Sequence, residues 1–319
     1  MSENSQVQLV QVDAETAGQR LDNFLLKVLK GCPKSRVYRI IRKGEVRINR
    51  KRAKPDSRLS EGDTVRIPPV RLSERQSPPR PGPSLTALLE NSILHEDDNL
   101  LVINKPAGLA VHGGSGVKLG LIEAMRQLRP EWHNLELAHR LDRDTSGCLL
   151  LSKKMSFLRE INSQIKQKSV TKIYCALVLG YWPDGLQVVD APLQKNHLES
   201  GERMVKVDSE GKKALTRFRV IEHIGRLATL VEAELDTGRT HQIRVHCRHA
   251  GHPILGDAKY GERNLPAAIG EIKRLCLHAS RLEFNYPANG PLYEFQAPLG
   301  VDFLAIVKLL RSQQKTARE

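Results

Sequence analysis

Near the start of the chain, apolar residues recur at helical spacing. Leu21, Phe24, Leu25, Val28 and Leu29 fall at i, i+3, i+4, i+7 and i+8, one stripe of a helix. Gly31 and Pro33 stop that helix, Ser35 is placed to cap a second one over about 36–43, and Gly44 ends it. Val37, Ile40 and Ile41 take the inner face of the second helix, which leaves Arg36, Arg39, Arg42 and Lys43 outward. Val46 and Ile48 then alternate around Arg47, and Val65 and Ile67 around Arg66, as short strands separated by a turn at Ser60-Glu61-Gly62-Asp63.

The periodicity lapses from Pro68 to about Ser84, where Pro68, Pro69, Pro78, Pro79, Pro81 and Pro83 stand among Ser, Arg and Gly. Such a stretch predicts an extended tether. Residues 16–70 are therefore read as one small domain, 71–84 as a linker and 85–319 as a second domain. Beyond the linker, strand patterns are expected at 100–104, 136–139, 148–152, 173–179, 214–220, 227–235 and 281–285. Helices are expected at about 120–128, 155–167, 241–250 and 301–311. Strands and helices do not alternate regularly, which disfavours a doubly wound parallel sheet. The expected fold class is α+β: a small N-terminal domain of two helices and short strands, tethered to a domain built on a mainly antiparallel mixed sheet flanked by helices.

Composition narrows the class. With 319 residues, 40% hydrophobic and 27% charged, the chain is globular, not disordered, and no apolar run is long enough to span a bilayer. Five widely spaced cysteines without a C-x-x-C pair disfavour a disulfide framework or a thiolate zinc site and fit a reducing cytoplasm. The net charge of +14 is uneven, because residues 27–58 alone hold 13 bases and 2 acids. A dense local excess calls for a polyanion, with nucleic acid ahead of an anionic membrane surface. Tyr38 is the one aromatic there expected to be exposed, so phosphate and shape recognition should outweigh base stacking.

Candidate chemistry collects in three segments. His139-Arg140-Leu141-Asp142-Arg143-Asp144-Thr145-Ser146-Gly147 is a charged loop pinned between apolar strands. Arginines beside Asp142 and Asp144 would keep a carboxylate ionised for work as nucleophile or base, and spacing does not choose between the two. Thr237-Gly238-Arg239-Thr240-His241-Gln242-Ile243-Arg244-Val245-His246 leads into a helix and could hold an anion. His246, His249 and His252 match no zinc spacing and are expected to be exposed or capping, so no metal is assigned. On the strand Lys172–Gly180, Tyr174 points away from Ile173, Cys175, Leu177 and Leu179 and by itself reads as packing.

Two resemblances sharpen this picture. Gly18-Gln19-Arg20-Leu21-Asp22, Ser35-Arg36-Val37-Tyr38-Arg39, Arg42-Lys43-Gly44-Glu45-Val46 and Glu61-Gly62-Asp63 resemble the S-four-type RNA-binding domain. That likeness implies structured RNA on the second helix and the adjoining loop, met by Arg36, Arg39, Arg42, Lys43, Arg47, Arg50 and Lys51. Glu96–Gly108 with Val111-His112 is similar to the opening signature of the RluA-type pseudouridine synthases. His139-Arg140-Leu141-Asp142 with Thr145-Ser146-Gly147, Lys172-x-Tyr174-x-Ala176-x-Val178-x-Gly180, Gly238–His246, Gly251-His252-Pro253-Ile254 and Gly256-Asp257-x-x-Tyr260-Gly261 match further motifs of that family.

The family resemblance implies an isomerase that needs no cofactor. It implies Asp142 as the catalytic aspartate, Arg244 as its partner, and Tyr174 stacked on the uracil and assisting proton loss from C5. Arg140 and His139 are candidates for contacting the RNA backbone or orienting the loop, and Leu275 and Leu277 are implied as an apolar wall. The S-four-type module and the run Val111–Gly116 narrow the likeness to enzymes of large-subunit ribosomal RNA, and the family resemblance favours a monomer. Two other classes stay open: a non-catalytic RNA-binding or ribosome-assembly factor, and a nucleoside hydrolase using Asp142 and Asp144 together.

Overall fold

The computed structural model describes residues 3–4, 6–14, 16–29, 31–71, 79–114, 117, 119–132, 134–197 and 203–316. Residues 72–78 of the proline-rich stretch, and Ser115 and Gly116 of the glycine run, lie outside them. The chain divides into two compact units, Met1–Pro78 and Pro79–Glu319.

In the N-terminal unit, helices Leu21–Val28 and Lys34–Arg42 cover a four-stranded antiparallel sheet ordered Gln8–Gln11, Thr64–Ile67, Arg47–Ile48, Lys51–Arg52. Leu21, Phe24, Leu25, Val37, Ile40, Ile41, Val65 and Ile67 are buried together, as the apolar stripe requires. Ser35 is not the cap of the second helix. Pro33 precedes the helix with φ −57°, a torsion that suits a helix start and needs no side-chain acceptor, and Ser35 lies inside it. Asn49 (φ 47°) and Arg50 (φ 66°) form the tight two-residue turn that joins the strands Arg47–Ile48 and Lys51–Arg52, so Arg50 stands at a hairpin tip.

Tyr38 is half-buried rather than exposed, since its hydroxyl donates to Asp22 at 2.8 Å. Arg20 forks onto the same carboxylate at 2.8 and 3.1 Å and, as the leading cause, pulls its pKa down to about 2. A lowered carboxylate pKa supplies stability that is complete above the unfolded value near 3.9 and is lost as pH falls through about 2. Asp22→Asn is therefore expected to weaken this unit at pH 7, with the deficit closing below about pH 4. Urea unfolding read by hydrogen exchange of peptides from 16–71 checks it; a deficit independent of pH would contradict the ionic origin.

The second unit is a ten-stranded mixed sheet. Its strands are β1 (Ile93–Glu96), β2 (Leu100–Lys105), β3 (Glu136–Leu137), β4 (Ser146–Ser152), β5 (Thr171–Leu179), β6 (Val188–Asp190), β7 (Leu215–Ile224), β8 (Ala228–Leu235), β9 (Leu277–Asn285) and β10 (Leu292–Gln296). The path is β6-β7-β8-β5-β9-β4-β2-β1, with β10 on β9 and β3 on β4. Among the described residues only the β4–β9 pairing, Ser146 with His278 and Gly147 with Ala279, is parallel. Gly147 has φ 108°, and a Cβ there would lie 2.2 Å from the Ala279 carbonyl oxygen, so only glycine lets the two backbones meet.

Among the described residues five α-helices accompany the sheet: α1 (Pro83–Glu90), α2 (Leu121–Leu128), α3 (Met155–Gln167), α4 (Gln242–His249) and α5 (Val301–Thr316). Helix α1 begins at Pro83, inside the stretch read as linker, because proline at the first helical position loses no hydrogen bond. Among the described residues no helix is long and apolar enough to cross a membrane. β4 and β5 are buried along nearly their whole length and both pair with β9 between them, which puts these strands in the buried middle of the sheet.

Candidate active site

A cleft of about 740 Å³ is lined by Asp142, Tyr174, Lys172, His241, Arg244 and Leu277 among others. Three segments distant in sequence meet there: the β3–β4 loop, the start of β5, and the β8–α4 loop with the first turn of α4.

The β3–β4 loop is held from both sides. Leu141 and Thr145 are buried to either side of Asp142, and the Thr145 amide donates to the Asp142 carbonyl at 3.2 Å. His139 Nε2 accepts the Leu150 amide of β4 at 3.1 Å. Burial, with Lys172 nearby, pushes that imidazole down to about 3, so it stays neutral and keeps accepting. Lys105, fully buried at the end of β2, donates to the carbonyls of Pro106, Leu109 and Arg143 at 2.8, 2.9 and 2.9 Å. Burial pulls its pKa down to about 7 against the opposing pull of Asp144 and Asp142. Three carbonyls match the three donors of the protonated amine. The opening motif Asn104-Lys105-Pro106 thus serves the loop through its lysine, a role its position in sequence did not suggest.

The two aspartates of the loop part company. Asp142 turns into the cleft, whereas Asp144 is exposed and does not line it. The expected ion pairs with Arg140 and Arg143 do not form among the described residues. Arg143 donates instead to the Gly108 carbonyl at 3.0 Å, and Arg140 is exposed at the rim. The cation on Asp142 comes from 102 residues away: Arg244 Nη1 lies 3.2 Å from Asp142 Oδ2.

Arg244 is aimed by a second carboxylate. Its Nε and Nη2 donate to both oxygens of Asp257 at 2.8 and 2.7 Å, and Asp257 also accepts the amides of Lys259 and Tyr260 at 2.9 and 3.0 Å. Both side chains are buried, at 6% and 0% exposure. Burial alone would lower the Arg244 pKa, but the bonds to Asp257 and then the charge of Asp142 raise it. Burial likewise opposes ionisation of Asp257, and Arg244 holds its pKa below the ordinary value. A planar fork with five donors can serve two carboxylates at once, which a lysine cannot.

Tyr174 is buried on β5, and its hydroxyl makes no hydrogen bond among the described residues. Burial, then the charge of Asp142, raises its pKa, so the phenol keeps its proton at neutral pH. Tyr174 and Leu277 of the adjacent strand β9 line the cleft together with Asp142; Leu275 is buried in the core and does not line it.

His246 is buried, not exposed or capping. Its ring bonds Thr216 at 2.8 Å and the Ala191 carbonyl at 3.0 Å, while His252 bonds the Leu179 carbonyl, so the spaced histidines serve different partners. Helix packing turned His246 to the core because it lies beside Val245 and Cys247 on a helix buried along most of its length. His241 and Lys172 also border the cleft, and the sequence assigned neither a role. Lys172 sits two residues from Tyr174 on the strand, a period-2 signal for one face.

In the N-terminal unit Arg39, Arg42, Lys43, Arg47, Arg50 and Lys51 are exposed and Arg36 is half-buried. Among the described residues none of the seven is ion-paired to a carboxylate. Arg47 does bond the carbonyls of Gly44 and Arg50, which fixes its guanidinium along the hairpin.

A cleft with one carboxylate held by a buried arginine, in a chain that also carries a basic module, fits an enzyme that acts on a polyanion. The sequence profile of the family described as RNA pseudouridylate synthase matches residues 99–249, and that of the S4 domain matches residues 19–65. The chain belongs to the RNA pseudouridylate synthases, which are isomerases. Ribosomal large subunit pseudouridine synthase C of Salmonella typhi is 51% identical over 317 residues, covering 98% of this chain and 99% of its own. Its counterpart in Escherichia coli (strain K12) is 50% identical over 316 residues with the same coverage. The solved structure of human RNA pseudouridylate synthase domain containing 4 superposes with a TM-score of 0.59 at 28% identity, covering 72% of this chain and 96% of its own.

Proposed function

We propose that this protein converts uridines of large-subunit ribosomal RNA to pseudouridine, acting without a cofactor in the cytoplasm. Asp142 is the catalytic carboxylate, Arg244 its aiming cation and Tyr174 the ring on which the uracil rests. The carrying observation is the Asp142–Arg244 contact at 3.2 Å inside the cleft, with Asp144 turned to solvent. That divergence removes the carboxylate pair a nucleoside hydrolase would need across one sugar. The names of relatives that match this chain over nearly its whole length support the choice of RNA.

In the reaction the C1′–N1 bond breaks, the uracil turns in place, and a C1′–C5 bond forms. N1 gains a proton and C5 loses one, so atoms and electrons balance with no redox partner. The uridine must first leave its stack, at a cost of a few kcal/mol. Contacts to phosphate offset that cost, and Arg140 at the rim supplies one of them. Because Tyr174 holds its proton, its resting contribution is the ring face, and a proton leaves C5 to another acceptor unless the phenol has first given up its own.

The test is incubation of the purified protein with large- and small-subunit ribosomal RNA transcripts. Pseudouridine is expected in the large-subunit transcript alone; its absence from both would overturn the reading. The basic module makes a separate prediction. Removing residues 1–80 should weaken binding and flatten the plot of log affinity against log salt, by about 0.7–0.9 for each phosphate no longer neutralised. An unchanged slope in filter-binding titrations would remove the module from the RNA interface.

A further inference from the structure

Asp142 has a second neighbour that the proposed mechanism leaves unused. His241 Nε2 lies 3.6 Å from Asp142 Oδ2, the oxygen that also receives Arg244 Nη1 at 3.2 Å. Oδ1 makes no hydrogen bond among the described residues. The other ring nitrogen of His241, Nδ1, is 2.8 Å from the Tyr260 hydroxyl.

The hydroxyl decides which nitrogen carries the proton. Tyr260 is buried, and its Oη accepts the Val205 amide at 3.0 Å. If Nδ1–H also donated to Oη, the phenol proton would be left buried without an acceptor, which is costly. Tyr260 therefore donates to Nδ1, and the proton of a neutral imidazole sits on Nε2, on the side of Asp142. The groups around the ring agree with neutrality. Burial first, then Arg244 and Lys259, lower its pKa against the pull of Asp142 and Asp257.

The backbone supports the same aim. His241 precedes α4 with φ 54°, a left-handed conformation that a non-glycine residue seldom adopts and that costs strain. Tyr260 lies three residues beyond Asp257 in one turn. That turn holds Arg244 through the carboxylate and, through the tyrosine ring, stacks on the guanidinium at 5.1 Å. The motif Gly256-Asp257-x-x-Tyr260-Gly261 thus reaches both neighbours of Asp142 Oδ2, with Asp257 on Arg244 and Tyr260 on His241.

We propose that His241, locked in its Nε2–H form by Tyr260, is a positioning residue that with Arg244 occupies Asp142 Oδ2 and reserves Oδ1 for the nucleotide. This rests on Asp142 being the catalytic carboxylate. The resting 3.6 Å separation is longer than a hydrogen bond, and catalytic hydrogen bonds that are long in a free site often tighten in the substrate complex.

Single-turnover pseudouridine formation and RNA affinity, measured side by side, test the idea in full-length protein. His241→Phe should slow the chemical step about tenfold while leaving the Kd for RNA unchanged. His241→Gln, which restores a donor near Nε2, should recover most of the rate. Tyr260→Phe, which removes one oxygen and keeps the ring on Arg244, should slow the step less. The double variant His241→Phe with Tyr260→Phe should be no slower than His241→Phe alone, because the tyrosine acts through the histidine.

Wild-type rate in His241→Phe, multiplicative losses in the double variant, or equal losses in the Phe and Gln variants would each overturn the proposal. If His241→Phe does not fold, Tyr260→Phe decides alone, and a wild-type rate there counts against the lock. Asp142→Asn separates the two levels. An active Asp142→Asn enzyme overturns the catalytic reading itself, whereas an inactive one beside a fully active His241→Phe overturns only this inference.

Discussion

Asp142→Asn is expected to lower the rate of pseudouridine formation by at least about 10³-fold while RNA affinity holds or rises slightly. The substitution keeps the shape of the side chain and removes its charge. The carboxamide can still meet Arg244, but it cannot attack carbon or take a proton, so the chemical step loses its reactive group. Binding should be spared because the carboxylate repels phosphate, and the RNA contacts proposed above are cations, Arg140 and the basic face of the N-terminal unit. Folding is spared as well, since Asp142 is 30% exposed and the buried Arg244 retains its two bonds to Asp257. Rapid-quench assays with matched binding titrations check both halves. Equal losses of rate and affinity would instead make Asp142 a binding residue.

The second large effect concerns Arg244. Arg244→Met should destabilise the protein by about 3–5 kcal/mol, because it strands the fully buried Asp257 carboxylate without its counterion. Activity should vanish with it. Adding Asp257→Asn to Arg244→Met is expected to restore much of the stability, since no charge is then left buried, but none of the activity. Arg244→Lys tests geometry: one ammonium can reach Asp257 or Asp142, not both with a fork, so folding should survive better than catalysis. Thermal unfolding and single-turnover rates on the wild type and these three variants distinguish the cases. Activity returning in the double variant would show that Arg244 serves only to neutralise Asp257.

Much of the framework was legible from periodicity where one face of an element meets the core and the other meets water. The α3 helix at 155–167 and the stripe from Leu21 are of that kind. The Leu193–His197 and Arg203–Val207 hairpin gives no such signal because Gln194, Lys195 and Asn196 interrupt any apolar alternation. α1 was hidden by its prolines, which mark a helix start as well as they mark a linker. The site was legible in part and for a different reason. Spacing left Asp142 and Asp144 equivalent, and what separates them, one turned to the cleft and one to solvent, is fixed by the burial of Leu141 and Thr145 in the folded loop. The link to Arg244 crosses 102 residues, and no local pattern encodes a contact of that range. The resemblance to a family named both ends of it. It included Lys105 and Tyr260 in its motifs without a role for either, and the fold supplies one: three carbonyl bonds from Lys105 to the loop and the Tyr260 hydroxyl on His241.

The central claim joins one carboxylate to one modification of one RNA. Pseudouridine mapping of large-subunit ribosomal RNA tests it most directly, in cells lacking this protein and carrying back either the wild-type chain or Asp142→Asn. A defined set of pseudouridines should disappear with the protein, return with the wild type, and stay absent with Asp142→Asn expressed at the same level. Restoration of those sites by Asp142→Asn, or no change when the protein is removed, would contradict the account.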